Sequence, residues 1–113
     1  MAYKILGQDR LTTTSYTDIY TVPAGNQAVV STLTITSHEL NTTDLTLCVR
    51  KDVSGTPEAA SQANALLWEF PVESYNLIPM TIGITLAAGD VVTAKAANAD
   101  SITVQLYGSE SEL

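Results

Sequence analysis

The stretch Val29-Val30-Ser31-Thr32-Leu33-Thr34-Ile35-Thr36 decides the fold. Val29, Ser31, Leu33 and Ile35 alternate with Val30, Thr32, Thr34 and Thr36. Successive side chains of a β-strand point to opposite faces, so this spacing predicts a strand with one face on a core and the other in water. Threonine strengthens the reading, because its branched Cβ fits a pleated sheet and resists a helix. The expected core face is the one carrying Val29, Leu33 and Ile35.

The same period recurs on both sides of this stretch. Leu45, Leu47 and Val49 alternate with Thr46, Cys48 and Arg50. Leu66, Trp68, Phe70 and Val72 alternate with Leu67, Glu69, Pro71 and Glu73. Ile82, Ile84 and Leu86 form one apolar row, and Ile102, Val104 and Leu106 another. Tyr3 to Leu6, Tyr16 to Val22 and Val91 to Ala96 are weaker segments of the same kind. One polar and one apolar face is the signature of antiparallel strands.

Turn chemistry separates the runs. Pro23-Ala24-Gly25-Asn26 combines a preset φ with a glycine that tolerates positive φ. Ala87-Ala88-Gly89-Asp90 reads as a tight connection of hairpin type, with Asp90 accepting a turn amide. Asn98-Ala99-Asp100-Ser101 is a third turn and Glu39 to Thr43 a polar loop. Asp52 to Asn64 is the longest loop, with Pro57 to Ala65 as the one place for a helical turn. Pro71 and Pro79 cannot donate to a ladder, which places their strands at edges or bulges. The acidic tail at 109–113 is expected to fray.

Together these features predict an all-β chain. The expected form is a single antiparallel β-sandwich, jelly-roll-like, of about eight short strands over residues 1–113, with a closed barrel as the alternative.

Charge narrows the partners. Five Lys and Arg against twelve Asp and Glu give a net charge of −7. The cations Lys4, Arg10, Arg50, Lys51 and Lys95 are scattered, so the clustered basic footprint that nucleic acid or an anionic membrane requires is missing. The Met1–Gly7 segment has no apolar run of signal-peptide type, and no window reaches the ~18 apolar residues of a membrane span. Cys48 is the sole cysteine, so no internal disulfide forms and the residue reads as a small buried apolar group.

No constellation supports catalysis. His38 is the only histidine, and no strand–turn–helix elbow presents a serine to it. Glu69 and Glu73 share a strand phase but lie about 13 Å apart in a regular strand, beyond the ~9.5 Å limit of glycosidase carboxyl pairs. Solvated edge charges explain them better. Asp52, Ser54, Thr56 and Glu58 alternate as in a calcium loop but supply only two carboxylates. One Cys and one His cannot hold a structural zinc. Asn41-Thr42-Thr43 matches a glycosylation sequon, and with no export signal expected the match is read as chance. The expectation is therefore no catalytic residue, no cofactor and no metal.

Aromatic residues mark interfaces. Trp68 and Phe70 run in phase with Leu66 and Val72 and are expected in the core. Tyr75, Tyr3 and Tyr16 are the interface candidates.

Tyr20-Thr21-Val22-Pro23-Ala24-Gly25, the strand from Val29 to Ile35, Gly83-Ile84-Thr85-Leu86-Ala87-Ala88-Gly89-Asp90-Val91-Val92 and the ending Leu106-Tyr107-Gly108-Ser109-Glu110 follow one another in order. In this combination the chain resembles small β-sandwich virion structural proteins of tailed phages, especially cyanophages, over nearly its whole length. The resemblance implies a virion protein assembled in the host cytoplasm. Capsid decoration or cement, as an oligomer with a trimer as the working expectation, is the first implication. A tail, baseplate or fibre module contacting the host surface is the alternative. The implied partner is the major capsid protein or another virion protein. Asp52 to Asn64 has no counterpart in this resemblance.

Overall fold

The computed structural model describes residues 3–113; Met1 and Ala2, the start of the N-terminal segment and of the 1–113 domain read above, lie outside the described residues. Ten strands follow in order: β1 (Tyr3–Arg10), β2 (Thr17–Thr21), β3 (Asn26–Ser37), β4 (Thr43–Arg50), β5 (Asp52–Val53), β6 (Thr56–Pro57), β7 (Ala65–Val72), β8 (Leu77–Leu86), β9 (Val91–Ala96) and β10 (Ile102–Glu112). Eight of them build two antiparallel four-stranded sheets, in the orders β1-β10-β3-β8 and β2-β9-β4-β7. We call these sheets A and B. Strands β5 and β6 form a separate two-residue ladder.

The chain passes from one sheet to the other at every connection except β4 to β7, which remains in sheet B. This is the jelly-roll arrangement, with two four-stranded sheets face to face rather than a closed barrel. The Ala87–Asp90 turn is therefore not a hairpin. It has the expected turn bond, Asp90 N–H to the Ala87 carbonyl at 3.1 Å, and Gly89 at φ +86°, but it carries the chain from β8 in sheet A to β9 in sheet B. Asp90 ties the corner from both sides, accepting from the Ala87 amide and the Asp52 amide, each at 2.9 Å.

The core lies between the sheets. Leu33, Ile35, Ile102, Val104 and Leu106 from sheet A meet Leu45, Leu47, Val72 and Val92 from sheet B, all essentially inaccessible. β7 and β8, the strands of Pro71 and Pro79, are edges as their prolines require.

Two bulges overturn the regular alternation. On β3, Tyr107 pairs with Thr32 but Gly108 pairs with Val30, leaving Ser31 without an opposite. Val30 and Ala28 consequently point into the core and Val29 points out, the reverse of the phase expected for Val29. On β7, Leu45 pairs with Phe70 and Leu47 with Leu67, so Trp68 and Glu69 together face Thr46. Glu69 takes φ +50°, and its amide donates to the Thr46 hydroxyl at 3.1 Å. Leu67 and Phe70 pack on the core, whereas Leu66 and Trp68 are exposed, Trp68 by 40%. Placing Trp68 in the core was thus incorrect, because the extra residue moves it to the outer face.

The segment from 57 to 65 forms no α-helix, only a 3-10 turn at Gln62–Asn64 capped by Ser61. It lies over β4, where the Cys48 thiol donates to the Ser61 carbonyl at 3.6 Å. Both faces of β4 are covered there, and Cys48 is buried.

The acidic tail does not fray. β10 continues to Glu112 against β3, and the Leu113 amide donates to the Gly25 carbonyl at 2.9 Å. Glu110 accepts from Lys4 Nζ at 2.7 Å, the Tyr20 hydroxyl at 3.1 Å and the Asn26 amide at 3.4 Å. The Lys4 bond leads in holding the Glu110 carboxyl below its ordinary value, and Tyr20 and Asn26 add to it. Burial, and then Glu110 itself, push the Tyr20 hydroxyl up. A depressed carboxyl stabilises the fold above its unfolded pKa, and that stability disappears as the pH falls through the folded value. Wild-type Tm is expected to drop on acidification below about pH 4. Glu110→Gln is expected to drop less across the same window, read by circular dichroism melts; identical acid limbs would contradict the pairing.

Candidate functional site

Residues directly opposite one another on neighbouring strands share a face, so the ladder register of sheet A specifies its outer surface. Ile5, Tyr107, Thr32 and Thr81 form one row across the four strands. Gln8, Gln105, Thr34 and Pro79 form the next, and Arg10, Thr103, Thr36 and Leu77 the third. On the other side of the Ile5 row come Tyr3, Ser109, Val29 and Thr85. The result is a sheet face built from threonine, glutamine, tyrosine and aliphatic groups.

Charge is almost absent from it. The three acids within sheet A, Asp9, Glu110 and Glu112, stand opposite Val104, Ala28 and Asn26, in the inward register. Lys4 likewise stands opposite Gly108 and reaches inward to Glu110. Arg10 is the one formal charge in the outward rows, and its guanidinium is held at the end of the sheet by the Asp100 carbonyl at 3.1 and 3.3 Å. None of the twelve acids of this −7 chain faces outward from the strands of sheet A.

Two side-chain hydrogen bonds tie polar groups of this face together. Tyr107 donates to the Gln105 side chain at 3.0 Å, and His38 Nε2 meets the Thr103 hydroxyl at 2.7 Å. Thr34 Oγ1, near the centre, is the one buried side-chain oxygen or nitrogen without a partner among the described residues. A notch of about 150 Å³ lies among β3, β8 and β10, with Gln27, Val29, Thr85 and Ser111 around it. Tyr3, Ile5, Val29 and Leu77 remain 38–83% exposed.

The three tyrosines expected at an interface do not converge. Tyr3 belongs to this face, at its β1 corner. Tyr75 lies beyond the opposite end, in the turn between β7 and β8, with φ +49° and 66% exposure. Tyr16 lies on the outer side of sheet B, its ring 4.8 Å beneath Lys95 Nζ. Burial raises the Tyr16 hydroxyl and the neighbouring Cys48 thiol. The threonine rows were missed as a unit because each threonine reads singly as an ordinary wet-face residue; strand order alone makes them neighbours.

The other chemical candidates are dispersed. Glu69 sits in the β7 bulge and Glu73 beyond the strand end, both exposed. Asp52 Oδ2 accepts the Gly55 amide at 3.3 Å inside the β5–β6 turn, an ordinary loop bond. No group of three or more His, Cys, Asp or Glu side chains converges among the described residues. No helix among them is long and apolar enough to cross a membrane.

No family model matches the chain, and no curated protein matches it. Among solved structures, that of infectious bursal disease virus Gx strain superposes on 96% of this chain at 10% identity and a TM-score of 0.36. The chain spans 29% of that protein's length.

Proposed function

We propose that this chain is a virion structural protein that works by contact rather than catalysis, docking through the outer face of sheet A onto a capsid lattice as a decoration protein. The carboxylate-free face of sheet A is the observation that carries this reading. Interface cores are depleted in charge, because an unpaired carboxylate withdrawn from water is costly, whereas threonine and tyrosine lose little. A net charge of −7 makes copies of the chain repel one another and other acidic surfaces, and this face adds no carboxylate to that repulsion.

Four strands about 4.8 Å apart and some eight residues long give a face of roughly 500 Å². A stable interface buries about 800 Å² on each partner. One copy therefore binds weakly, and an oligomer that engages several lattice positions at once binds firmly through avidity. An oligomeric decoration protein, as the resemblance to tailed-phage virion proteins implies, would meet this requirement.

The test is to add purified protein to capsids lacking it and to count copies on complete particles by quantitative mass spectrometry. Saturable binding, with a copy number in simple ratio to the major capsid protein, is expected. A few copies confined to the tail would replace the reading with a tail or fibre module. Absence from the particle would overturn both.

A further inference from the structure

We propose that a cleft on the opposite side of the molecule, on the outer face of sheet B, binds a neutral saccharide. The cleft has a volume of about 360 Å³ and lies between β4, β9, the β7 bulge and the loop preceding β2. Asp44 and Thr46 of β4, Glu69 of β7, Lys95 of β9 and Thr14 line it.

Its carboxylates are unused by the fold. The Asp44 and Glu69 carboxylates and the Lys95 ammonium make no hydrogen bond or ion pair among the described residues; the two ion pairs there are Lys4–Glu110 and Arg50–Asp18. Lys95 is held instead over the Tyr16 ring at 4.8 Å, where the π-face steadies a cation. Acceptors and a donor of opposite charge thus line one cleft without neutralising each other.

The backbone is bent to create this arrangement. A regular β7 would send Trp68 and Glu69 to opposite faces. The bulge sets both outside, opposite Thr46, and holds Glu69 in the left-handed region at φ +50°. Such a conformation costs a non-glycine residue on the order of 1–2 kcal/mol. Its effect is to leave the chain's sole tryptophan, 40% exposed, on the same outer face as Glu69, the next residue and one that lines the cleft.

A pyranose matches this set of groups. Its C–H face stacks on an indole, its hydroxyls donate to Asp44 and Glu69, and they accept from Lys95. Thr14 and Thr46 hydroxyls serve either role. Two carboxylates against one ammonium disfavour an anionic ligand, and two carboxylates are too few for a tight all-protein calcium cage. The site is independent of the capsid reading, since sheet A takes no part in it.

The full chain is titrated with maltotriose, cellotriose and chitotriose, and with sialyllactose as the anionic control. Binding is read from Trp68 fluorescence and from backbone amide shifts in NMR. At least one neutral trisaccharide is expected to give saturable shifts centred on Thr46, Glu69 and Lys95. Trp68→Ala and Asp44→Asn are each expected to weaken it about tenfold, the equivalent of one lost contact of this kind. Both side chains are at least partly exposed, so both variants are expected to fold, checked by their melts; Asp44→Asn decides alone if Trp68→Ala does not. No saturable shift with any neutral sugar, preference for sialyllactose, or shifts that survive both substitutions would overturn the proposal.

Discussion

Gly108→Ala is expected to destabilise the protein by about 3 kcal/mol or more, near the upper end of the range for overpacking. Gly108 lies where the β3 bulge pushes the Val29–Val30 backbone toward β10. A Cβ there would land on the Val29 carbonyl oxygen, 2.9 Å from the Val29 carbonyl carbon and 3.0 Å from Val30 Cα. These are backbone atoms of a hydrogen-bonded central strand and cannot rotate away. At ~4 °C per kcal/mol for a domain of this size, Tm falls by roughly 12 °C. Calorimetry of the variant measures this directly. A fall of less than about 3 °C would mean that β3 relaxes locally and that the bulge is softer than its geometry indicates.

Val30→Asp and Val29→Asp form the second pair, adjacent in sequence and opposite in consequence. Val30 is fully buried, facing the core from the centre of sheet A. An aspartate there must ionise without a partner or remain protonated without one, and either costs several kcal/mol. Val30→Asp is expected to leave no cooperative melting transition. Val29 is 38% exposed beside Thr85 and Ser109, so Val29→Asp is expected to change stability by less than about 1 kcal/mol. It does introduce a carboxylate into a face that has none. Capsid docking is expected to weaken by about a hundredfold, the scale of an unpaired charge in an interface core. The sugar cleft on sheet B is expected to be unaffected. Equal melts for the two variants would refute the inverted phase of β3. A well-folded Val29→Asp protein that still docks would refute the docking face while leaving the cleft untouched.

These two valines mark how far the sequence could be read. Alternation from Leu33 to Thr36, Ile82 to Leu86 and Ile102 to Leu106 identifies strands and their core faces, because in these stretches the pleat is regular and one face is dry. Pro71 and Pro79 mark edge strands through their missing donors, and Pro23 to Asn26 forms the turn its residues favour, with Asn26 N–H bonded to the Pro23 carbonyl at 3.1 Å. Errors begin at bulges. One extra residue at Ser31 exchanges the roles of Val29 and Val30, and one at Trp68–Glu69 takes the tryptophan out of the core. Apolar residues stand on both sides of each slip, so local pattern offers no reason to expect either.

The acidic ending shows the same limit in another form. Ser109 to Glu112 is polar and terminal, a composition that normally frays, yet it pairs along β3 because Lys4, Tyr20 and Asn26 converge on Glu110 from three distant strands. The sheet B cleft likewise draws Thr14, Asp44, Glu69 and Lys95 from separate parts of the chain.

The sequence by itself determined the all-β class, most strand segments, the edge prolines and the positions of the Pro23 and Ala87 turns. Each depends on local backbone preference or on what residue types are present at all. Only the tertiary structure decided which threonines stand side by side, that sheet A turns a carboxylate-free face outward, and that the exposed tryptophan shares an outer face with a neighbouring residue, Glu69, that lines a cleft. Those properties depend on strand order and on bulge position. Both are set by how two sheets close over a shared core, a long-range balance that no run of neighbouring residues encodes.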